Sequence, residues 1–169
     1  MTALPSTAPG REWLLRPATT ADSDAVRSLV FRVLEEYGLK PDPGGADADL
    51  FDIGAHYPQV GGWFGVLVDP TDHIVGSVGV HAVDGTTFEI RKMYLDRGCR
   101  GRGFGRALLE RGLTEAKVRG ARRVVLETAR VLREAVALYE RRGFRIVSGS
   151  PNVCRCDLVM ELELGWVPA

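Results

Sequence analysis

The sequence predicts a single mixed α/β domain, a central sheet flanked by helices, on three observations. Runs rich in β-formers cluster at 63–69, 73–83 and 86–95, with "DG" at Asp84–Gly85 closing a tight hairpin. Three other segments, 20–37, 103–120 and 132–144, carry apolar residues at helical spacing. The chain of 169 residues, 45% hydrophobic and 26% charged, is long enough for one well-filled core. It shows no internal repeat and no low-complexity linker. The first ten residues, "MTALPSTAPG", read as a flexible tail, and 11–169 as the domain.

Taken in order, "EWLLRPAT" (12–19) is a short apolar run that meets a proline, and reads as a first strand. In 20–37, Val26, Leu29, Val30, Val33 and Leu34 form one helical face; Asp22 or Thr20 would cap it and Gly38 would end it. Residues 38–62, with "KPDPGG" and "YPQVGG", predict a loop-rich insertion holding one short helix near 47–55. The strands 63–69, 73–83 and 86–95 then form an antiparallel meander. Phe104, Leu108, Leu109, Leu113 and Ala116 line a helix from about Gly103 to Gly120. "RVVLETA" (123–129) shows little alternation, as a strand covered on both faces would. Leu132, Ala135, Val136 and Tyr139 share a face of the next helix, with Gly143 past its end; 144–147 and 155–164 are final strands.

Composition narrows the functional classes. No apolar run approaches a transmembrane helix. The N-terminus lacks a basic segment followed by an apolar one, so a secretory signal is not expected. Three cysteines, Cys99, Cys154 and Cys156, without a CxxC pair or zinc-spaced histidines, argue against a disulfide framework or a metal site and for a reducing, cytoplasmic setting. The net charge of zero is segregated: residues 1–90 hold 13 Asp/Glu against 5 Lys/Arg, while residues 91–123 hold 11 Lys/Arg against 3 Asp/Glu. A basic middle segment suggests an anionic ligand there, although for most of these arginines a solvated helix face is the better reading.

The stretch "RGCRGRGFGRALLERG" (97–112) lies between a strand end and a helix start. Unpaired amides and the positive end of the helix dipole favour an anion at such a place, and glycines let the backbone come close. A Walker loop needs GK[ST] before the helix, which is absent. A dinucleotide fingerprint needs a third glycine where Arg106 stands, and a βαβ unit where the chain has a meander. The remaining pattern is RxxGxG, at Arg100, Gly103 and Gly105.

With "FEIRKMYL" before it and "RVVLETA" and "AVALYERRGF" after it, that pattern resembles the GNAT superfamily of acetyl-CoA-dependent N-acetyltransferases, over roughly residues 12–164. The resemblance implies a GNAT acyl-CoA acyltransferase fold, with a mixed, mostly antiparallel sheet. It implies that backbone groups of Arg100, Gly101, Arg102, Gly103, Phe104, Gly105 and Arg106 hold the coenzyme A pyrophosphate. It implies that Met93, Tyr94 and Leu95 bind the pantetheine arm through the main chain, the Met93 amide facing the thioester oxygen. Glu89, four residues before Met93 and expected on the same strand face, corresponds to a general base in a number of members. Tyr139 of "LYE" corresponds to a tyrosine that contacts the cofactor sulfur or protonates the leaving thiolate. Many members place an asparagine just after the strand at 123–128; here that region offers Thr128, Arg130 and Arg133 but no asparagine, with Thr128 and Arg130 as the candidates, so the contact is either replaced by an arginine on a phosphate or absent.

The acceptor site is expected from the first helix, the 38–62 insertion and the last strands, with Phe51, His56, Tyr57, Trp63 and Cys156 as candidates. The function implied is acetyl transfer from acetyl-CoA to a primary amine by direct attack in a ternary complex, with a small-molecule acceptor as the default and a protein amine as an alternative. A non-catalytic acyl-CoA-binding module would keep the turn and lack a working Glu89 or Tyr139. A nucleic-acid-binding domain would need exposed aromatics among the basic residues, and none are interleaved there. The expected partners are acetyl-CoA and the amine, with no metal, nucleic acid or membrane; self-association as a homodimer stays open.

Overall fold

The structure, a computed structural model, describes residues 12–165, so the tail expected at 1–10 lies outside the described residues. One seven-stranded sheet runs in the order β1-β2-β3-β4-β5-β7-β6. These strands are β1 (Leu14–Pro17), β2 (Trp63–Val68), β3 (Ile74–Ala82), β4 (Thr87–Leu95), β5 (Arg123–Thr128), β6 (Arg145–Val147) and β7 (Leu158–Glu163). Only the β4–β5 pair is parallel; the other five are antiparallel, as a mixed, mostly antiparallel sheet requires.

Helix α1 (Ser23–Glu36) buries Val26, Leu29, Val30, Val33 and Leu34, each worth about 1.5–3 kcal/mol of transfer free energy. Gly38, at φ +70°, ends it, with Leu39 N–H bonding back to the Leu34 carbonyl at 2.8 Å. Neither expected cap acts on α1. The Asp22 carboxylate turns back to accept from the Thr19 amide and from both Arg16 Nη atoms at 2.8–2.9 Å, and the Thr20 hydroxyl donates to Asp52. The 38–62 insertion is loop-rich as expected, but the one short helix expected near 47–55 is split. It makes a turn at Ala48–Phe51, the short α2 (Ile53–His56) and a turn at Pro58–Val60. Asp52 breaks the first from the second at φ −150°, and its side chain caps α2 at the Ala55 amide. Leu50, Ile53 and Tyr57 still reach one core, against Val26, Val30, Leu34 and Phe64. Tyr57 can lie on the sheet because residue 79 is glycine: a Cβ there would sit 2.8 Å from the Tyr57 ring.

The opposite sheet face packs on α3 (Phe104–Val118) and α4 (Arg133–Arg142). β5 does alternate, with Val124, Leu126 and Thr128 buried and Val125 and Glu127 half-buried. β4 carries one residue more than β3: Arg91 pairs with Gly79 and Tyr94 with Ser77, so Val78 faces both Lys92 and Met93. Lys92 sits at φ +51°, a backbone region costly for a side-chain-bearing residue. Pairing of β4 with β5 ends at Ile90↔Leu126, although β4 runs on to Leu95 and β5 to Thr128.

Charges buried beside the bulge hold the insertion in place. Lys92 Nζ donates to the Ala46 carbonyl at 2.8 Å and lies 3.4 Å from Asp47 and 3.2 Å from Asp49. Arg155, from the loop before β7, grips the fully buried Asp47 with both Nη atoms, at 2.7 and 2.8 Å. The buried Tyr57 hydroxyl donates to Asp49. Burial pushes the Asp47 carboxyl up, but hydrogen bonds from Arg155 and the Asp42 amide and the charge of Lys92 outweigh it and leave it below its usual value. Asp47→Asn is expected to cost about 3 kcal/mol in denaturant unfolding, because it leaves two buried cations under-compensated. Since the folded carboxyl titrates below the unfolded value of 3.8, the gap between wild type and variant should be full above that pH and shrink as the pH falls through the lowered folded value.

Candidate active site

Where β4 and β5 part, a cleft opens with two chambers of about 340 Å³ each. Both are lined by Met93 and Tyr94 on one side and by Leu132 and Ala135 on the other. One chamber extends toward the Gly-rich turn; the other extends under the 38–62 insertion and the loop before β7.

The first chamber is bounded by Leu95, Arg100, Gly101, Gly103, Gly105 and Arg106, with Val33 and Tyr37 from α1 and its end. Gly101 and Gly103 adopt φ +75° and +85°, and a Cβ on either would meet nothing within 4 Å. The turn therefore presents open backbone directly before the 15-residue α3, whose first amides have no helical partner. That geometry fits a phosphate group. The arginine side chains divide. Arg106 lines the chamber. Arg102 stacks over Trp13 and Phe104, and Phe104 is buried against Trp13 with ring centroids 4.3 Å apart. Arg100 is a brace: its Nε donates to the Leu95 carbonyl at 3.1 Å and its Nη atoms donate to Glu36 and to the Tyr37 hydroxyl. The Tyr37 hydroxyl in turn donates to Glu134 of α4 at 3.1 Å, bridging two walls of the chamber.

The second chamber brings together Glu89, Arg91, Lys92, Glu127, Thr128, Tyr139, Arg155, Cys156 and His56. Glu89 and Arg91 form an ion pair at 3.0 Å. The bulge changes one expectation: Met93 packs on the α3–α4 side of the sheet, while Glu89 and Arg91 stay on the α1 side, so Glu89 and Met93 do not share a strand face. Both still border this chamber. Tyr139 is buried, and its hydroxyl reaches Met93 Sδ at 4.0 Å. Burial pushes its phenol well up, with Tyr94 and Cys156 adding, so it stays a neutral donor. Burial also pushes the Tyr94 phenol to about 12 and the Cys156 thiol to about 11.

Other candidates lie elsewhere. Trp63 is in the core under the Arg111 guanidinium. Tyr57 is fully buried behind the chamber wall, bonded to Asp49. Phe51 is 53% exposed beneath Arg27. Arg130 is exposed, with its amide on Asp157, and borders neither chamber. The first helix, expected at the acceptor site, contributes instead to the chamber beside the Gly-rich turn. The sequence reading missed Lys92, Glu127 and Arg155. Glu127 accepts from the Asn152 amide and side chain and from the Val153 amide, anchoring the loop before β7. Only its place on the cleft-facing side of β5 could have marked it. No group of three metal-binding side chains occurs among the described residues.

Comparison with known proteins agrees with this architecture. The uncharacterized N-acetyltransferase YjgM of Escherichia coli K12 is 32% identical over 159 residues, covering 89% of this chain and 95% of that protein. N-acetylaspartate synthetase of Danio rerio is 37% identical over 59% of the chain, a match spanning 36% of that protein. A GNAT-family acetyltransferase from Staphylococcus aureus Mu50 superposes with a TM-score of 0.85 at 21% identity, covering 90% of this chain and 99% of that one. The yncA protein of Salmonella typhimurium, solved with its cofactor acetyl-CoA, superposes at 0.72 with 21% identity, covering 94% and 97%. The family model described as the acetyltransferase (GNAT) family matches residues 28–144. The sheet that parts between β4 and β5, the turn that opens α3 and this match lead to one conclusion: the chain belongs to the GNAT acetyltransferase family.

Proposed function

We propose that this acetyltransferase moves an acetyl group from acetyl-CoA to the primary amine of a small molecule, by direct attack while both are bound. One observation carries the reading: the two chambers meet at Met93, where the buried Tyr139 hydroxyl also arrives. The phosphates lie on the amides of Gly101–Arg106, since the Arg100 amide, expected among them, already donates to the Arg97 carbonyl, and the pantetheine arm lies along Met93, Tyr94 and Leu95 in the space β5 leaves. The Met93 amide faces the thioester oxygen, where negative charge develops. The amine enters from the other chamber, and Glu89 takes its proton. Tyr139, kept neutral by burial, donates to the departing thiolate. Thr128 borders the acceptor chamber through a buried position; Arg130 has no part in this scheme. A chamber of about 340 Å³ suits a small ligand. Among the described residues no helix is long and apolar enough to cross a membrane.

Gly103→Val should weaken acetyl-CoA binding about tenfold or more, because a β-branched residue is strained at φ +85° and its side chain fills open space at the turn. Calorimetric titration reads the affinity, and far-UV dichroism checks that α3 persists. Glu89→Gln and Tyr139→Phe should each lower kcat by about 10²–10⁴-fold and leave the KM for acetyl-CoA within about threefold. The assay is acetyl-CoA-dependent thiol release across an amine panel. Undiminished kcat in both variants removes the assigned roles.

A further inference from the structure

The acceptor chamber contains three strong cations, and they are not equivalent. Lys92 is committed to Asp47, Asp49 and the Ala46 carbonyl. Arg155 has both Nη atoms on Asp47. Arg91 borders the chamber with its side chain 35% exposed, and its one ion-pair partner among the described residues is Glu89, at 3.0 Å. Most of its five N–H donors are therefore available. The nearby Asp49 accepts from Tyr57 and pairs with Lys92 at 3.2 Å; its charge also reaches Arg91, but the Glu89 hydrogen bond and charge come before it among the partners that hold the guanidinium charged. His81, opposite Glu89 across the β3–β4 pair, is biased to the neutral form by burial and by Arg91.

We infer that the acceptor carries a carboxylate beside its amine, as an α-amino acid or a short derivative of one does, with the carboxylate on Arg91 and the amine on Glu89. This rests on the acetyl-transfer reading above. When Glu89 takes the amine's proton it loses its charge, and Arg91 loses its counter-ion in a half-enclosed chamber. A simple amine leaves that guanidinium unmatched. A substrate carboxylate replaces the lost anion in the planar, two-pronged geometry that guanidinium favours. The spacing agrees as well: the Glu89–Arg91 pair presents opposite charges 3.0 Å apart, and the ammonium nitrogen and carboxylate of an α-amino acid lie roughly 3 Å apart. Leu39, Ala46, Ala48 and Val153 give the rest of the chamber an apolar wall for the acceptor's side chain.

The test uses the full chain, acetyl-CoA and three matched sets of compounds: L-amino acids, their carboxamides and their decarboxylated amines. Thiol release gives kcat/KM for each. The acid should exceed its own carboxamide by about 100-fold, and Arg91→Gln should bring that ratio to within about threefold. Arg91→Lys, which keeps the charge but not the fork, should hold an intermediate ratio and carries the test if Arg91→Gln unfolds on thermal melting. If carboxamides and amines react as well as the acids, the carboxylate inference falls and acetyl transfer stands. If acetyl-CoA binds and none of the three sets releases thiol, both fall.

Discussion

The cleft exists because β4 has one residue more than its neighbour β3 can match. The extra residue at Lys92–Met93 turns the strand's alternation over. Its pairing with β5 ends at Ile90, and the two parallel strands separate. Everything functional follows from that separation. Main chain at the end of β4 is left facing a gap, α4 can bring Tyr139 across to Met93, and α3 starts at the gap's edge. A flat, fully paired sheet with the same helices would have no place for an extended ligand arm. The cost is a lysine at positive φ, and strain of this kind persists only where surrounding contacts hold it.

Those contacts are the buried charges around Lys92. Asp47, Asp49, Arg155 and Tyr57 join the insertion, the bulge and the loop before β7 into one unit. An apolar cluster of the same volume could be equally stable, but it would not fix where each segment sits. Directional hydrogen bonds do. The insertion has little regular structure of its own, so its position over the second chamber depends on them.

Much of this was legible in the sequence. The helices at 23–36 and 104–118 follow from period-3.6 apolar patterns, and the hairpin strands from β-rich runs closed by Asp84–Gly85. The turn before α3 was legible because glycine has few other reasons to recur there. The bulge was not, since nothing in "EIRKMYL" distinguishes a paired from an unpaired residue, and a one-residue slip reverses every side chain beyond it. For that reason simple alternation puts Glu89 and Met93 on one face, and the bulge puts them on opposite faces. The ion network was equally hidden, because Asp47 and Arg155 meet across 108 residues of sequence. Trp63 and Tyr57 looked like site residues by type, but aromatic side chains fill cores as readily as they line pockets.

The bridge from Arg100 through the Tyr37 hydroxyl to Glu134 links the end of α1 to the start of α4 beside the strand end that carries Met93, Tyr94 and Leu95. The two walls of the chamber beside the Gly-rich turn are therefore tied by side chains 97 positions apart in sequence, through a hydrogen bond open to solvent, so their spacing is set by tertiary contact and not by either helix alone.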